Sequence, residues 1–573
     1  MLRLAWHLAR PYWSSEEKRI AWTLLIAVVA LNLGNVYVSV RLNAWNNTFY
    51  NALQDYKLRE TFVQLGIFCV LATISIILSV YAQYLQQMLQ IRWRRWLTGH
   101  YLDRWLGDRR YYRLQLDRKT TDNPDQRLAD DLNYFTVFTL GLFLGLLTSA
   151  VSLASFLVIL WGLSGPADIP LWSLGTLHIP GYLIWAALFY AVLGTWFTVK
   201  IGRPLVPLNF AQQRFEADFR YSLVRLRENA ESVALYGGEP PERETFDERF
   251  GNVFDNFWHI MKRQKMLNWF TSGYTQIALI FPFVVLAPRY FAKQIQLGGL
   301  FQVIDAFGNV QSSLSFIINA FASQNLLSPN ISGWVAITER LTTFEQRMQE
   351  IEASLHASQP IRLKREGAGV EVRKLDLDLP DGTKLAHGIS LHVEPGSSLL
   401  ITGPSGTGKS TLLRAAAGIW PYGRGDVRLG VGRTFFMPQR PYFPLGTLKQ
   451  ALAYPALDSA VDETRMTEAL EQVGLGSLAV HLADDQNWPL RLSLGEQQRV
   501  AFARVLLARP DLIFLDEASS AVDEDDEARL YRMLRSHHPD AAIISVGHRE
   551  SLKALHDRIV DLTRFHAGAL VTD

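Results

Sequence analysis

The segment Gly403-Pro404-Ser405-Gly406-Thr407-Gly408-Lys409-Ser410 constrains this chain more than any other. It follows an apolar run, Leu399 to Thr402, and opens a helical one, Thr411 to Ala417. A glycine-rich turn between strand and helix closes backbone N–H groups around phosphates, and the helix N-terminus adds partial positive charge. Lys409 reaches toward β- and γ-phosphates, and the Ser410 hydroxyl suits Mg²⁺. Glycine-rich turns also arise by chance, but strand, lysine, serine and helix together argue for a site. The sequence predicts a nucleoside-triphosphate binder whose phosphates lie against residues Gly403 to Thr411.

Of 573 residues, 49% are hydrophobic, and they concentrate before about residue 335. Six apolar stretches run from Ile20 to Val40, Phe62 to Tyr81, Phe135 to Leu163, Gly181 to Val199, Tyr274 to Tyr290 and Asn309 to Ile331. A helix spanning a bilayer needs about 20 apolar residues, which the first four meet with ease and the last two, more polar, less so. The first is too long for a cleaved leader and lacks a small-residue cleavage site. Arg92, Arg94, Arg95, Arg104, Arg109, Arg110, Arg113, Arg118 and Lys119 follow the second stretch, and Lys200, Arg203, Arg214, Arg220, Arg225 and Arg227 follow the fourth. The loop from Ser164 to Pro180 has no Lys or Arg. This asymmetry predicts a multi-pass protein in a lipid bilayer with both termini on the cytoplasmic side, where ATP is. A net charge of +2 gives no basic field for nucleic acid, and the single cysteine, Cys69, excludes an intrachain disulfide. After Phe344 the chain turns polar. The expected division is a transmembrane domain over 1–340, a linker over 341–368 and a soluble α/β domain over 369–573.

In that soluble domain, Leu512 to Leu515 form an apolar run ending in Asp516 and Glu517. Strands buried on both faces read this way. Asp516 is placed to hold Mg²⁺ and Glu517 to polarise an attacking water as general base. Leu492-Ser493-Leu494-Gly495-Glu496-Gln497-Gln498-Arg499 resembles the signature of ATP-binding-cassette ATPases. Gln439 matches that family's glutamine loop, Ser520-Ala521-Val522-Asp523 its D-loop and His548 its switch histidine, so the resemblance covers residues 370–565. It implies that Gln439 senses the γ-phosphate and Mg²⁺ and that His548 contacts the γ-phosphate. It also implies that Ser493, Gly495, Glu496 and Asp523 serve a site shared with a second copy of the chain. One cassette on one membrane half cannot supply both faces, so a two-fold homodimer with two sandwiched ATPs is expected. Two positions depart from the pattern. Leu494 replaces the usual glycine, and Leu379 stands where an adenine-stacking aromatic normally precedes Pro380. No Phe, Tyr or Trp lies between Gly367 and Thr402, which predicts weak selection of ATP over GTP.

Trp45 to Gln54, Asn123-Pro124-Asp125-Gln126-Arg127 and Arg225-Leu226-Arg227-Glu228 resemble the SbmA/BacA peptide-uptake family and its cassette-fused, YddA-like relatives, and more distantly the peroxisomal fatty-acyl-CoA transporters. The resemblance implies a six-span α-helical domain of exporter type followed by an α/β P-loop ATPase. It implies ATP-driven uptake of peptides, bleomycin-like glycopeptides or corrinoids across a bacterial inner membrane. An exporter, a lipid or fatty-acyl-CoA carrier, and an ATP-gated channel or membrane-anchored regulator are the alternatives. Residues 122–127 and 231–239 read equally as coupling segments or as ordinary solvated helix ends. Ser312, Ser315, Asn319 and Ser323 give the sixth stretch a polar face, read as cavity lining or as interhelical hydrogen bonding. The cluster at 43–51 reads as an outer gate or an interfacial aromatic belt.

Overall fold

Backbone that lies in lipid must satisfy its own hydrogen bonds, so long apolar segments fold as helices. The computed structural model describes residues 1–116, 123–164, 166–171, 175–322, 329–356 and 361–566. It divides into two units, Met1–Arg104 with Asp122–Gln346, and Trp105–Thr121 with Arg347–Asp573.

In the first unit, helices span Lys18–Gln54, Leu58–Leu106, Leu132–Ser164, Tyr182–Gly202 and Glu239–Phe291. Among the described residues, five helical runs are long and apolar enough to cross a membrane. Phe62, Ile67, Val70, Ile76, Ile77 and Val80 are all exposed. A row of that kind is tolerable only against lipid or a partner. The sixth expected span is different. Asn309 lies inside the helix Leu297–Ala322, Ile331 opens another helix, Ile331–His356, and residues 323–328, Ser323 included, fall outside the described set, as does the Asn319 side chain. Gln302, Asp305, Asn309 and Gln311 hold Leu297–Ala322 out of the apolar five, and it packs through Leu300, Val303, Ala306, Phe307 and Val310 against Phe156, Leu160, Leu183, Ala187 and Leu286.

The amides near residue 45 bind that helix. Asn43 Nδ2 donates to Gln302 O (2.9 Å) and Asp305 Oδ2 (2.7 Å), and Asn47 Nδ2 to Gln302 Oε1 (2.7 Å). Asn51 Oδ1 and Gln54 Oε1 accept from the Gly298 and Leu297 N–H groups, both at 2.8 Å. An unpaired polar group in the membrane costs several kcal/mol, so these side chains form an interhelical seam and cap a helix start. Ser312 Oγ, exposed, turns back on Gly308 O.

The second unit is built on a parallel sheet in the order Arg558–Asp561, Ser398–Thr402, Ala542–Val546, Leu512–Asp516, Thr434–Met437. A second sheet, mostly antiparallel, runs Ile361–Arg365, Gly423–Leu429, Val370–Asp378, Lys384–Val393. Buried Leu399, Ile401, Phe514, Ile544 and Val546 join Val372, Leu375, Leu377 and Val427 in one core, while Leu400, Ile513, Leu515 and Ile543 face a second core under the helices. Continuous apolar strands are needed because both faces are covered. Of the stretch 341–368, residues to His356 continue a helix and Ile361–Arg365 is a strand. A piece of the first half also belongs to this unit. Arg109 Nη1 donates to Ala417 O (2.7 Å) at the end of the helix Lys409–Ala416, Arg110 pairs with Glu352 (2.6 Å), and Leu116 packs on the sheet core. The segment joined to the ATPase unit thus precedes residues 122–127, of which Pro124–Gln126 opens the next long helix.

Candidate functional site

Parallel strands end at one edge of a sheet, and ligands bind beyond those carboxyl ends. Ser398–Thr402 delivers the loop Gly403 to Ser410, Thr434–Met437 delivers Gln439, Leu512–Asp516 delivers Asp516 and Glu517, and Ala542–Val546 delivers His548. Gly403, Gly406 and Gly408 have φ of 136°, 87° and 95°, values open to glycine and strained for other residues. Lys409 is buried, and its Nζ donates to Gly403 O (2.7 Å) and Pro404 O (2.8 Å). Burial lowers the pKa of this ammonium, while Glu517, Asp516 and Asp561 pull it upward. Thr407 Oγ1 closes the loop on Pro404 O, and Thr411 is buried in the helix that follows.

Ser410 Oγ donates to Asp516 Oδ1 at 2.9 Å. Burial raises the Asp516 pKa, opposed by that hydrogen bond. A hydroxyl, a carboxylate and the nearby Gln439 amide are hard oxygen donors of the type Mg²⁺ takes together with phosphate and water. Gln439 Nε2 donates to Glu517 Oε2 (2.8 Å), and His548 Nε2 lies 2.5 Å from Glu517 Oε1. Glu517 itself has φ +47°. A left-handed non-glycine residue costs about 1–3 kcal/mol. The fold holds it through the Glu517 N–H to Val546 O bond at 3.0 Å and through both carboxylate contacts.

Ser493 caps the helix Leu494–Ala508 through a reciprocal box. Its Oγ accepts from the Glu496 N–H, and its own N–H and Oγ–H donate to Glu496 Oε2. Those bonds lower the Glu496 pKa, the backbone one most. Asp523 caps the helix Glu524–His537 by accepting from the Asp526 N–H at 2.8 Å. Among the described residues, no hydrogen bond joins Ser493, Gly495 or Glu496 to the phosphate loop. Gly495 instead abuts the D-loop, where an added Cβ would lie 2.8 Å from Ala521 O. Leu494 is 41% exposed. Leu379 packs on the sheet core.

Residues 8–291 match the family described as ABC transporter transmembrane region 2, and residues 386–520 match the family described as ABC transporter. Over 97% of this chain and 96% of its own length, the inner membrane ABC transporter ATP-binding protein YddA of Escherichia coli (strain K12) is 34% identical. The chain belongs to the ABC transporter family. The human lysosomal cobalamin transporter ABCD4 is 28% identical over 96% of this chain and 92% of its own. A bacterial Atm1-family ABC exporter solved with ATP bound superposes with a TM-score of 0.70 at 18% identity, covering 96% of this chain and 94% of that one. This is an ATP-driven half-transporter of exporter-type fold, with an ATPase coupled to transport. Sequence reasoning left Gln498 and Arg549 without a role, and used the basic residues after Trp105 only to orient the membrane helices. Gln498 lay inside the quoted signature and Arg549 beside His548, but only folding brings their partners to them.

Proposed function

We propose that this half-transporter acts as a homodimer that imports peptides or other bulky hydrophilic solutes across a bacterial inner membrane, with both termini and the ATPase in the cytoplasm. The carrying observation is the Glu517 carboxylate held between Gln439 and His548 beside Lys409, Ser410 and Asp516. In hydrolysis, the loop N–H groups and Lys409 hold the β- and γ-phosphates, Lys409 exchanging its own loop carbonyls for them. Ser410, Asp516 and Gln439 would hold Mg²⁺, which when bound neutralises charge on the β- and γ-oxygens. Glu517 accepts a proton from the attacking water, and His548 turns from Glu517 to the γ-phosphate. Ser493 and Gly495 serve the partner's nucleotide, which accords with their lack of bonds to their own phosphate loop. The helix Ala230–Tyr236 supports a partner as well, since Leu235 and Tyr236 are 80% and 88% exposed at its end.

The polar-solute reading rests on the resemblance at 45–54, 123–127 and 225–228 and on the cobalamin named for one relative. Cells carrying the wild-type gene should take up fluorescent peptide or labelled bleomycin and become more drug-sensitive, while Lys409→Ala removes both effects. Resistance through efflux would make the protein an exporter. Glu517→Gln separates transport from gating: a pump loses uptake, with hydrolysis down by about 10²–10⁴, whereas an ATP-gated pore stays open.

A further inference from the structure

The helix Leu494–Ala508 carries a polar side chain that the reaction above leaves idle. Gln498 is 0% exposed. Its Nε2 donates to Gln439 O and to Ser520 Oγ, each at 3.1 Å, and its Oε1 accepts from the Ala521 N–H at 2.9 Å. A primary amide offers two donors and two acceptor sites, so three of the four are committed to two separate loops. On the other side of the D-loop, Arg549 Nη1 donates to Val522 O (2.6 Å) and Nη2 to Ser520 O (2.8 Å). The Arg549 guanidinium lies 3.6 Å from the carboxylate of Glu527, which also accepts from Ser519 and Ser551. The chain of bonds closes on the reacting group, because Gln439 and His548, the neighbour of Arg549, grip the two oxygens of Glu517.

We propose that Gln498 is a positioning residue for hydrolysis. It ties the Gln439 backbone to the D-loop, so that the placement of Ser520 to Asp523 sets how the Gln439 side chain meets Glu517. The inference rests on Glu517 being the base. Gln439 can aim its amide only as far as its backbone allows, and Gln498 is the buried group that fixes that backbone's carbonyl. A misplacement of about an ångström at reacting atoms costs roughly a hundredfold in rate. The D-loop also passes close to the start of this helix, where a Cβ added at Gly495 would lie 2.8 Å from Ala521 O.

The test uses the full-length chain in proteoliposomes, with Gln498→Leu and the less branched Gln498→Met. Either variant should lose about ten- to a hundredfold in ATPase kcat while its KM for ATP stays within about threefold. Combined with Gln439→Ala, the second substitution should cost far less than it does alone, because both break one linkage. Additive effects, a kcat within about twofold of wild type, or failure of both variants to fold would each overturn the proposal, the last by making Gln498 a folding residue only. If Glu517→Gln hydrolyses ATP normally, the base assignment falls, and the Gln439 cycle alone then decides for or against Gln498.

Discussion

At residue scale, chemistry here depends on side chains held in costly states. Glu517 keeps a left-handed backbone, and Lys409 is a buried ammonium that donates to loop carbonyls while Glu517, Asp516 and Asp561 draw its pKa upward. The strand end at Asp378 and Leu379 bears on the choice of base. Its own sequence offers no ring, yet Trp420 Nε1 donates to Asp378 O (3.0 Å) and the Asp378 N–H to Tyr422 O (3.3 Å), so folding brings two aromatics there. Trp420 is buried in the core and Tyr422 half-buried. Stacking of a base on a ring is worth about 1–3 kcal/mol. With Leu379 at the family's aromatic position, ATP and GTP should be hydrolysed with catalytic efficiencies within about tenfold of each other, read from initial rates. A hundredfold preference for ATP would instead assign the stacking to a ring such as Tyr422, and Tyr422→Leu should then abolish it.

At the scale of elements, the helix Leu494–Ala508 and the D-loop are locked by backbone proximity. Gly495→Ala should push Ala521 O aside and lower ATPase kcat by about tenfold or more; a wild-type rate would show that the D-loop gives way freely. Leu494→Gly should alter the rate little, since Leu494 is partly exposed and Ser493 and Gly495 stay in place. A second lock ties the strand Ser398–Thr402 to the helix Glu524–His537 through Asp557. Asp557 accepts from Arg535 at 2.6 Å and from the Ser398 N–H at 2.8 Å, and the Arg535 bond does most to hold its carboxyl down at about 2. A carboxyl whose folded pKa lies below its unfolded value of about 4 adds stability above that pH. This contribution should fade as pH falls from about 4 to about 2. Thermal unfolding of the full chain should show that decline, and Asp557→Asn should flatten it. Because Asp557 and Arg535 are both partly exposed, water screens the pair and the effect should be modest.

At the scale of the whole molecule, exposed apolar rows on the long helices and the idle signature end both call for something outside one chain. Lipid answers the first, and the proposed second copy of the chain would answer the second. In a Cys69→Ser background, cysteines placed at Ser405 and Leu494 should crosslink between chains when Glu517→Gln traps ATP, and not without nucleotide. Monomers that hydrolyse ATP at the wild-type rate would remove the dimer from the mechanism.

Much of the ATPase unit was legible because its parts are local. A glycine-rich turn, an apolar strand ending in two acids and a capping serine carry their conformations in neighbouring residues, and Gly403 to Ser410, Gln439, Asp516, Glu517 and His548 converge at one sheet edge accordingly. The apolar periods of the first half likewise announced membrane helices. Composition does not reveal what a polar residue bonds to: in the helix Leu297–Ala322, Gln302 and Asp305 accept from Asn43 and Asn47, more than two hundred positions away. The same holds for the segment from Trp105, which joins the ATPase unit through Arg109 and Leu116. By itself the sequence determined which chemistry and which solvent each half was made for, since periodicity and short motifs are properties of neighbours. Only the tertiary structure decided which amides zip helices together and that Gln498 and Arg549 bind the D-loop, because those hydrogen bonds exist only between residues that folding brings together.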